Sequence, residues 1–343
     1  VKAFQLLGPG SAAVVDVPAQ EQQAGDVLLK VLLVGMCGTD LTSFRGGNAM
    51  LALPRILGHE VAAVVVEGSD DLVAGTLVTL SPYTSCGECA SCRGGRPNAC
   101  RGNQTLGVQR DGAMRKYLRV TREKIYVASL SPRELALVEP LTVGMHAVSR
   151  GRVTAQDVVA VFGCGGVGLG AIAGASFRGA EVIAIDMDDR KLEVARKAGA
   201  KHVIHSGRLE QEKTSLHERL AAITGGHGPN VCIEAIGLPQ TFRAAVEEVA
   251  FTGRVVYIGY AKEPVSYETR LFVQKELDIL GSRNALPEDF REVIRLLEAK
   301  RFPVDDAISA IVPIEDAAGY LADWSEHPGK YTKIMVEIGS NNE

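Results

Sequence analysis

The first third of the chain alternates short apolar runs with Gly, Pro and Asp. Residues 27–34, 61–67 and 76–80 each read as a strand bounded by turn formers, which predicts a strand-rich, barrel-like unit. From about residue 157 the pattern changes. Residues 157–162 are a buried-strand run, 169–177 form an Ala- and Gly-rich helix, and 181–185 form a second strand. A polar helix at 190–198, a strand at 202–204, a helix near 211–223 and strands at 231–235 and 254–258 continue the alternation. A right-handed, doubly wound parallel sheet is the expected outcome, so the fold class is α/β with a strand-rich first domain. Beyond Gly281 come an amphipathic helix at 288–299 and short pieces ending in an apolar run at 333–338, a tail expected to rejoin the first domain. The polar residues 340–343 are expected to fray.

Length and composition narrow the class. A chain of 343 residues exceeds what one hydrophobic core sustains, so two domains are expected. Apolar residues make up 46% and charged residues 23%, values of a folded globular protein rather than a disordered or fibrous one. A net charge of −4 without clustered Lys and Arg argues against nucleic acid as a partner. No apolar run reaches bilayer length, and the N-terminus passes directly into a strand-like pattern, so neither a membrane span nor a secretory leader is expected.

The strongest chemical signal is Cys86, Cys89, Cys92 and Cys100, spaced Cys-x2-Cys-x2-Cys-x7-Cys among Gly, Pro, Arg and Ser. Four thiolates on a short irregular segment can surround one tetrahedral ion, which reads as a closed structural zinc site. Two disulfides or four unrelated thiols are the alternatives. Three cysteines at two-residue intervals chelate more easily than they pair.

A second signal is Gly163-Cys164-Gly165-Gly166-Val167-Gly168, which follows a strand and opens a helix. That context makes it a dinucleotide fingerprint: Gly163 for the tight turn, Gly165 for approach of a pyrophosphate, Gly168 for close helix packing. Asp186 ends the next strand, 18 residues after Gly168, where a carboxylate can accept from both ribose hydroxyls. It favours NAD over NADP. Arg190 and Lys191 follow, and they equally suit the exposed start of the next helix.

A third cluster is Cys37 in Gly35-Met36-Cys37-Gly38-Thr39-Asp40, followed by His59 and Glu60. These offer soft, borderline and hard zinc ligands, although singly they read as a half-buried thiol, a core histidine and a surface acid. Neighbours in a strand face opposite ways, so His59 and Glu60 can both ligate only if the backbone turns at Gly58. Five of the seven cysteines thus fall in two candidate metal sites, leaving Cys164 and Cys232 in buried elements, a usage that fits a reducing cytoplasm.

Taken in order, Gly-x-Cys-Gly-Thr-Asp, Gly-His-Glu, the four-cysteine loop, Val138-Glu139-Pro140-Leu141 and the glycine fingerprint resemble the zinc-dependent medium-chain dehydrogenase/reductase family over essentially the whole chain. The Gly-His-Glu pair and the Glu-Pro-Leu segment look most like its polyol, sugar-acid and threonine dehydrogenase branch. The resemblance implies a GroES-like catalytic domain from residues 1–147 and 282–343, a Rossmann domain at 148–281, two zinc ions per chain and a homo-oligomer, a tetramer or a dimer. It implies Cys37, His59 and Glu60 as ligands of the catalytic zinc, with Glu139 in or beside its shell, and Thr39 as the hydroxyl that takes the substrate proton. For Glu139 the alternative is an acid at a helix start before Pro140. Many relatives place a histidine five residues after the catalytic cysteine; this chain has Thr42, which cannot serve as a base. Arg283 matches an arginine that reaches substrate in polyol dehydrogenases, and Arg283, Asn284 and Arg45 would suit hydroxyls or a carboxylate, although a surface arginine fits as well.

The expected function is oxidation of a secondary alcohol of a polyol or aldonate to the ketone with NAD. The rivals are L-threonine 3-dehydrogenase, another secondary-alcohol dehydrogenase, and, from a different class, a non-catalytic zinc-stabilised nucleotide-binding protein. A zinc-free quinone-reductase relative would lack Cys37, His59 and the cysteine loop.

Overall fold

The computed structural model describes residues 1–67 and 71–339, so the expected fraying of 340–343 lies outside the described residues. The chain forms two compact units, Val1–Glu139 with Val304–Glu343, and Pro140–Pro303.

In the first unit the strand Asp26–Met36 is the organiser. Buried and half-buried residues alternate along its first part, as in a strand with one face on a core, and from Leu33 to Met36 every residue is buried. It pairs antiparallel with Glu60–Glu67, with Ile334–Glu337 and, along its first half, with Tyr117–Thr121. Leu77–Leu80 and Ile125–Val127 extend one side, Ala310–Pro313 the other, giving seven strands. A smaller sheet of Ser11–Asp16, Lys2–Gly8 and Arg55–Ile56 belongs to the same unit. Phe4, Leu29, Val34, Ile56, Leu118 and Trp324 are part of the core they share.

The second unit is a six-stranded sheet in which every neighbouring pair is parallel. Its spatial order is His202–His205, Glu181–Asp186, Val158–Phe162, Val231–Glu234, Arg254–Tyr257, Asp278–Gly281. The order reverses at Val158–Phe162, the first of these strands in the chain, and sheets of this type take their ligand at the carboxyl ends of the strands beside that reversal. Glu234, at one such end, is fully buried and accepts from the Ile236 and Gly237 amides (2.9 and 2.8 Å) and the Thr241 hydroxyl (2.7 Å), which makes it a brace for its loop.

Some boundaries differ from the sequence expectation. The helix placed near 211–223 spans Leu216–Thr224, because Ser215 and Glu218 form a reciprocal cap at its start. Glu139 does not open a helix: Pro132–Arg150 is one helix with Pro140 inside it. The compact units divide at 139/140 and 303/304, where the sequence reading put 147/148 and 281/282. The helix Pro287–Glu298 belongs with the parallel sheet because Asp289 caps it by accepting from the Leu286 amide (2.8 Å), accepts from the Ser149 hydroxyl (2.9 Å) and meets His146 Nδ1 at 2.7 Å. Among the described residues no helix is long and apolar enough to cross a membrane.

His146 and Asp289 are both buried, so truncating Asp289 takes the partner from His146 Nδ1 in the core and removes the cap on the Leu286 amide. Asp289→Ala is expected to lower the unfolding free energy by about 3 kcal/mol in urea denaturation. Glu288→Ala, which removes only an exposed pairing with Arg291, should change it by less than about 0.5 kcal/mol.

Candidate active site

Cys37 is delivered by the end of the strand Asp26–Met36 and sits as the N-cap of the short helix Gly38–Phe44. Its sulfur accepts from the Thr39 amide at 3.1 Å, and its own amide donates to Asp40 at 2.9 Å. His59 follows Gly58, whose φ of +96° is the left-handed turn required for His59 and Glu60 to address one place. Cys37 Sγ and His59 Nε2 face each other at 3.1 Å. Ligand atoms of His59, Glu60 and Glu139 lie within 4.8 Å of one another, and so do those of Cys37, Asp40 and His59.

The two buried carboxylates are anchored differently. Glu60 lies opposite Gly35 in the antiparallel ladder, and a Cβ at Gly35 would stand 1.9 Å from a Glu60 oxygen, so the glycine is what seats the carboxylate. Both Glu60 oxygens are 2.6 Å from Lys333 Nζ, which also donates to the Met36 carbonyl at 3.2 Å. Glu139 accepts a short hydrogen bond from the buried hydroxyl of Tyr83. Burial lifts Glu60 above its ordinary range against the pull of Lys333. Burial also pushes Tyr83 well up, helped by Glu139, so the phenol remains a donor. At His59 burial acts downward, but the Cys37 charge and hydrogen bond, with Asp40 and Glu139, raise the ring well above its ordinary value. A thiol, an imidazole and two acids crowded out of water are the donor set of a divalent cation such as zinc, and fit it. Lys333 and Tyr83 carried no motif in the sequence, and Asp40, which closes the Gly-x-Cys-Gly-Thr-Asp motif, is given no role by it. Arg45, read there as a substrate partner, instead ties its Nε to the Ser325 hydroxyl at 3.0 Å and its tip to the Ser325 carbonyl.

The four-cysteine loop also fits a metal. Sulfur–sulfur separations are 3.5 Å for Cys89–Cys92, 3.6 Å for Cys86–Cys100 and 3.9 Å for Cys89–Cys100. These are far beyond a disulfide bond and match the edge of about 3.8 Å of a tetrahedron with zinc–sulfur distances of about 2.3 Å. The Ser91 hydroxyl and backbone amides draw Cys89 down to about 5, while desolvation and the neighbouring thiols push Cys92 up to about 11. Closely set thiols ionise unequally when they must share one anionic charge, a tension that a cation removes.

In the second unit, Gly163 (φ +96°) turns the chain out of Val158–Phe162, and a Cβ at Gly168 would lie 1.9 Å from the Gly163 carbonyl. A Cβ at Gly165 would meet nothing within 4 Å, so that face is open to a phosphate, and Gly165 caps the helix Gly166–Phe177. Asp186 accepts from the amides of Cys164 (2.8 Å), Met187 (2.7 Å) and Asp188 (3.1 Å), which fixes its carboxylate beside the fingerprint. Arg190 is exposed in the first turn of the helix Asp189–Lys197. Arg283 and Asn284 lie between the strand Asp278–Gly281 and the helix Pro287–Glu298, with Asn284 at a φ of +54°.

Two family models match the chain: the alcohol dehydrogenase GroES-like domain over residues 23–130 and the zinc-binding dehydrogenase domain over residues 166–299. A sorbitol dehydrogenase of Bacillus subtilis is 34% identical, covering 82% of this chain and 81% of its own. An L-galactonate-5-dehydrogenase of Escherichia coli is 32% identical, covering 85% and 86%. Among solved structures, an E. coli alcohol dehydrogenase with NADH superposes with a TM-score of 0.88 at 26% identity, and a zinc-binding dehydrogenase of Sinorhizobium meliloti with NADP does so with 0.88 at 29%, each covering 98% of both chains. The chain belongs to the zinc-dependent medium-chain dehydrogenase family, as a secondary-alcohol oxidoreductase that works with a nicotinamide cofactor and zinc.

Proposed function

We propose that this chain oxidises a secondary hydroxyl of a polyol or sugar acid to the ketone, with NAD as the acceptor. The observation that carries the reading is the convergence of Cys37 and His59 at 3.1 Å beside the two buried carboxylates of Glu60 and Glu139. Bound zinc supplies Lewis acidity at the alcohol, and bound NAD supplies the hydride acceptor. Cys37, His59 and Glu60 would hold the metal, and Glu139 would support that shell or stand in for Glu60 in it. Lys333 compensates the charge of Glu60. Thr39, half-buried two residues past Cys37, receives the substrate proton on its hydroxyl and releases its own, acting as a relay. Thr42 donates to the Gly38 carbonyl at 2.8 Å and has no basic nitrogen, so the proton leaves through water or a cofactor hydroxyl. Arg283 and Asn284 serve substrate hydroxyls or a carboxylate. The substrate class draws support from the sorbitol and galactonate dehydrogenases among the relatives. Asp186 supports NAD: its fixed carboxylate would accept from the ribose hydroxyls and repel a 2′-phosphate.

The first expected outcome is NADH formation at alkaline pH from one member of a panel of polyols, aldonates, threonine and simple secondary alcohols. Cys37→Ser should fall below about a hundredth of the parent rate. Turnover of threonine alone would replace the substrate assignment, and silence across the panel would sink it. Metal analysis of the purified protein should find about two zinc per chain, with one lost in Cys37→Ser and the other in Cys100→Ser. Asp186→Ser should shift the NAD-to-NADP preference, as a ratio of kcat/KM, by about tenfold or more toward NADP, equivalent to 1.4 kcal/mol.

A further inference from the structure

Tyr83 stands at the junction of the two candidate metal sites of the first unit. Residues on either side of the four-cysteine loop are zipped together: Thr84 donates from its amide to the Gln104 carbonyl (3.2 Å), Gln104 donates from its amide to the Thr84 hydroxyl (2.7 Å), and the Leu106 amide donates to the Pro82 carbonyl (3.1 Å). Tyr83 itself bridges to Thr105. This neck holds the loop that runs from Cys86 to Cys100, and it aims the Tyr83 side chain inward, where the ring is 7% exposed and the hydroxyl donates to Glu139 Oε1.

The two carboxylates beside His59 therefore have partners of different kinds. Glu60 meets an ammonium with both oxygens, whereas Glu139 accepts from a phenol on one. Carboxylates that serve a metal are themselves hydrogen-bonded from outside, and those outer donors decide which oxygen faces the ion. We propose that Tyr83 is a positioning residue for the metal centre: held by the neck of the four-cysteine loop, its hydroxyl fixes the Glu139 carboxylate toward the site formed by Cys37 and His59. The inference rests on the reading of that site as a metal centre.

The test loads the catalytic site of the full-length protein with cobalt(II), whose visible absorption reports ligand number, and measures the affinity of that site by chelator competition. Tyr83→Phe keeps the ring and removes the donor. It should weaken cobalt binding about 10- to 100-fold and change the visible spectrum, while its melting curve shows the protein folded. Glu139→Gln should weaken binding as well, and the double variant should match Glu139→Gln alone within about twofold, because the phenol acts through the carboxylate. Cobalt affinity and spectrum equal to the parent in Tyr83→Phe, or effects of the two substitutions that simply multiply, overturn the proposal. If Cys37→Ser binds as much cobalt as the parent, the metal-centre reading fails, and the role of Tyr83 falls with it.

Discussion

The candidate metal centre depends on the register of one strand, Asp26–Met36. Its pairing sets Gly35 against Glu60 and Met36 against Ile334, and its end releases the chain into Cys37. Because side chains alternate along a strand, a slip of one residue in either ladder would turn Glu60 or Lys333 to the wrong face. The ion pair between them is therefore as much a readout of correct pairing as a source of stability. Breaking a buried pair of this kind costs about 3–5 kcal/mol, since the remaining charge has no water to turn to.

The second unit solves a different problem with the same economy. Its parallel strands bring amides and a carboxylate to their carboxyl ends, where backbone donors do the holding: Asp186 is fixed by the amide of Cys164 on the neighbouring strand's turn and by those of the two residues that follow it. Such a site is built almost wholly from backbone, which is why its sequence signature is glycine and one acid. The centre in the first unit needs side chains from five separated places, Cys37, His59 with Glu60, Tyr83, Glu139 and Lys333. Burial is what displaces Glu60 upward, with the nearby Glu139 adding to it and Lys333 pulling against it.

This contrast explains what the sequence could reveal. Candidate site residues that lie close in the chain, such as Cys86 to Cys100 and the glycines at 163–168, announce themselves by spacing, because local geometry alone brings them together. The fold class was legible for the same reason, since alternation of strand and helix is local. Lys333 was not, because nothing marks a lysine at the start of an apolar strand as the counter-ion of a residue 273 positions earlier. Tyr83 reads as an ordinary loop residue until the neck beside it closes. The compact units divide at other positions than the sequence reading gave, because the helix Pro132–Arg150 runs on through Pro140 and because His146 and Asp289 tie the helix Pro287–Glu298 to the parallel-sheet unit.

The discontinuity of the first unit has a consequence for how the protein is made. A chain emerging from the ribosome presents residues 1–139 long before 304–343, while 140–303 emerges as one uninterrupted piece. Throughout that interval Glu60 has no ammonium opposite it, and Asp26–Met36 lacks its neighbour Ile334–Glu337. The four-cysteine loop, by contrast, has all its ligands within residues 86–100 and can capture an ion at once. The candidate ligands Cys37, His59, Glu60 and Glu139 all emerge in the first segment as well, so what the carboxyl-terminal segment adds on docking is the counter-charge of Lys333 that settles the buried Glu60 carboxylate.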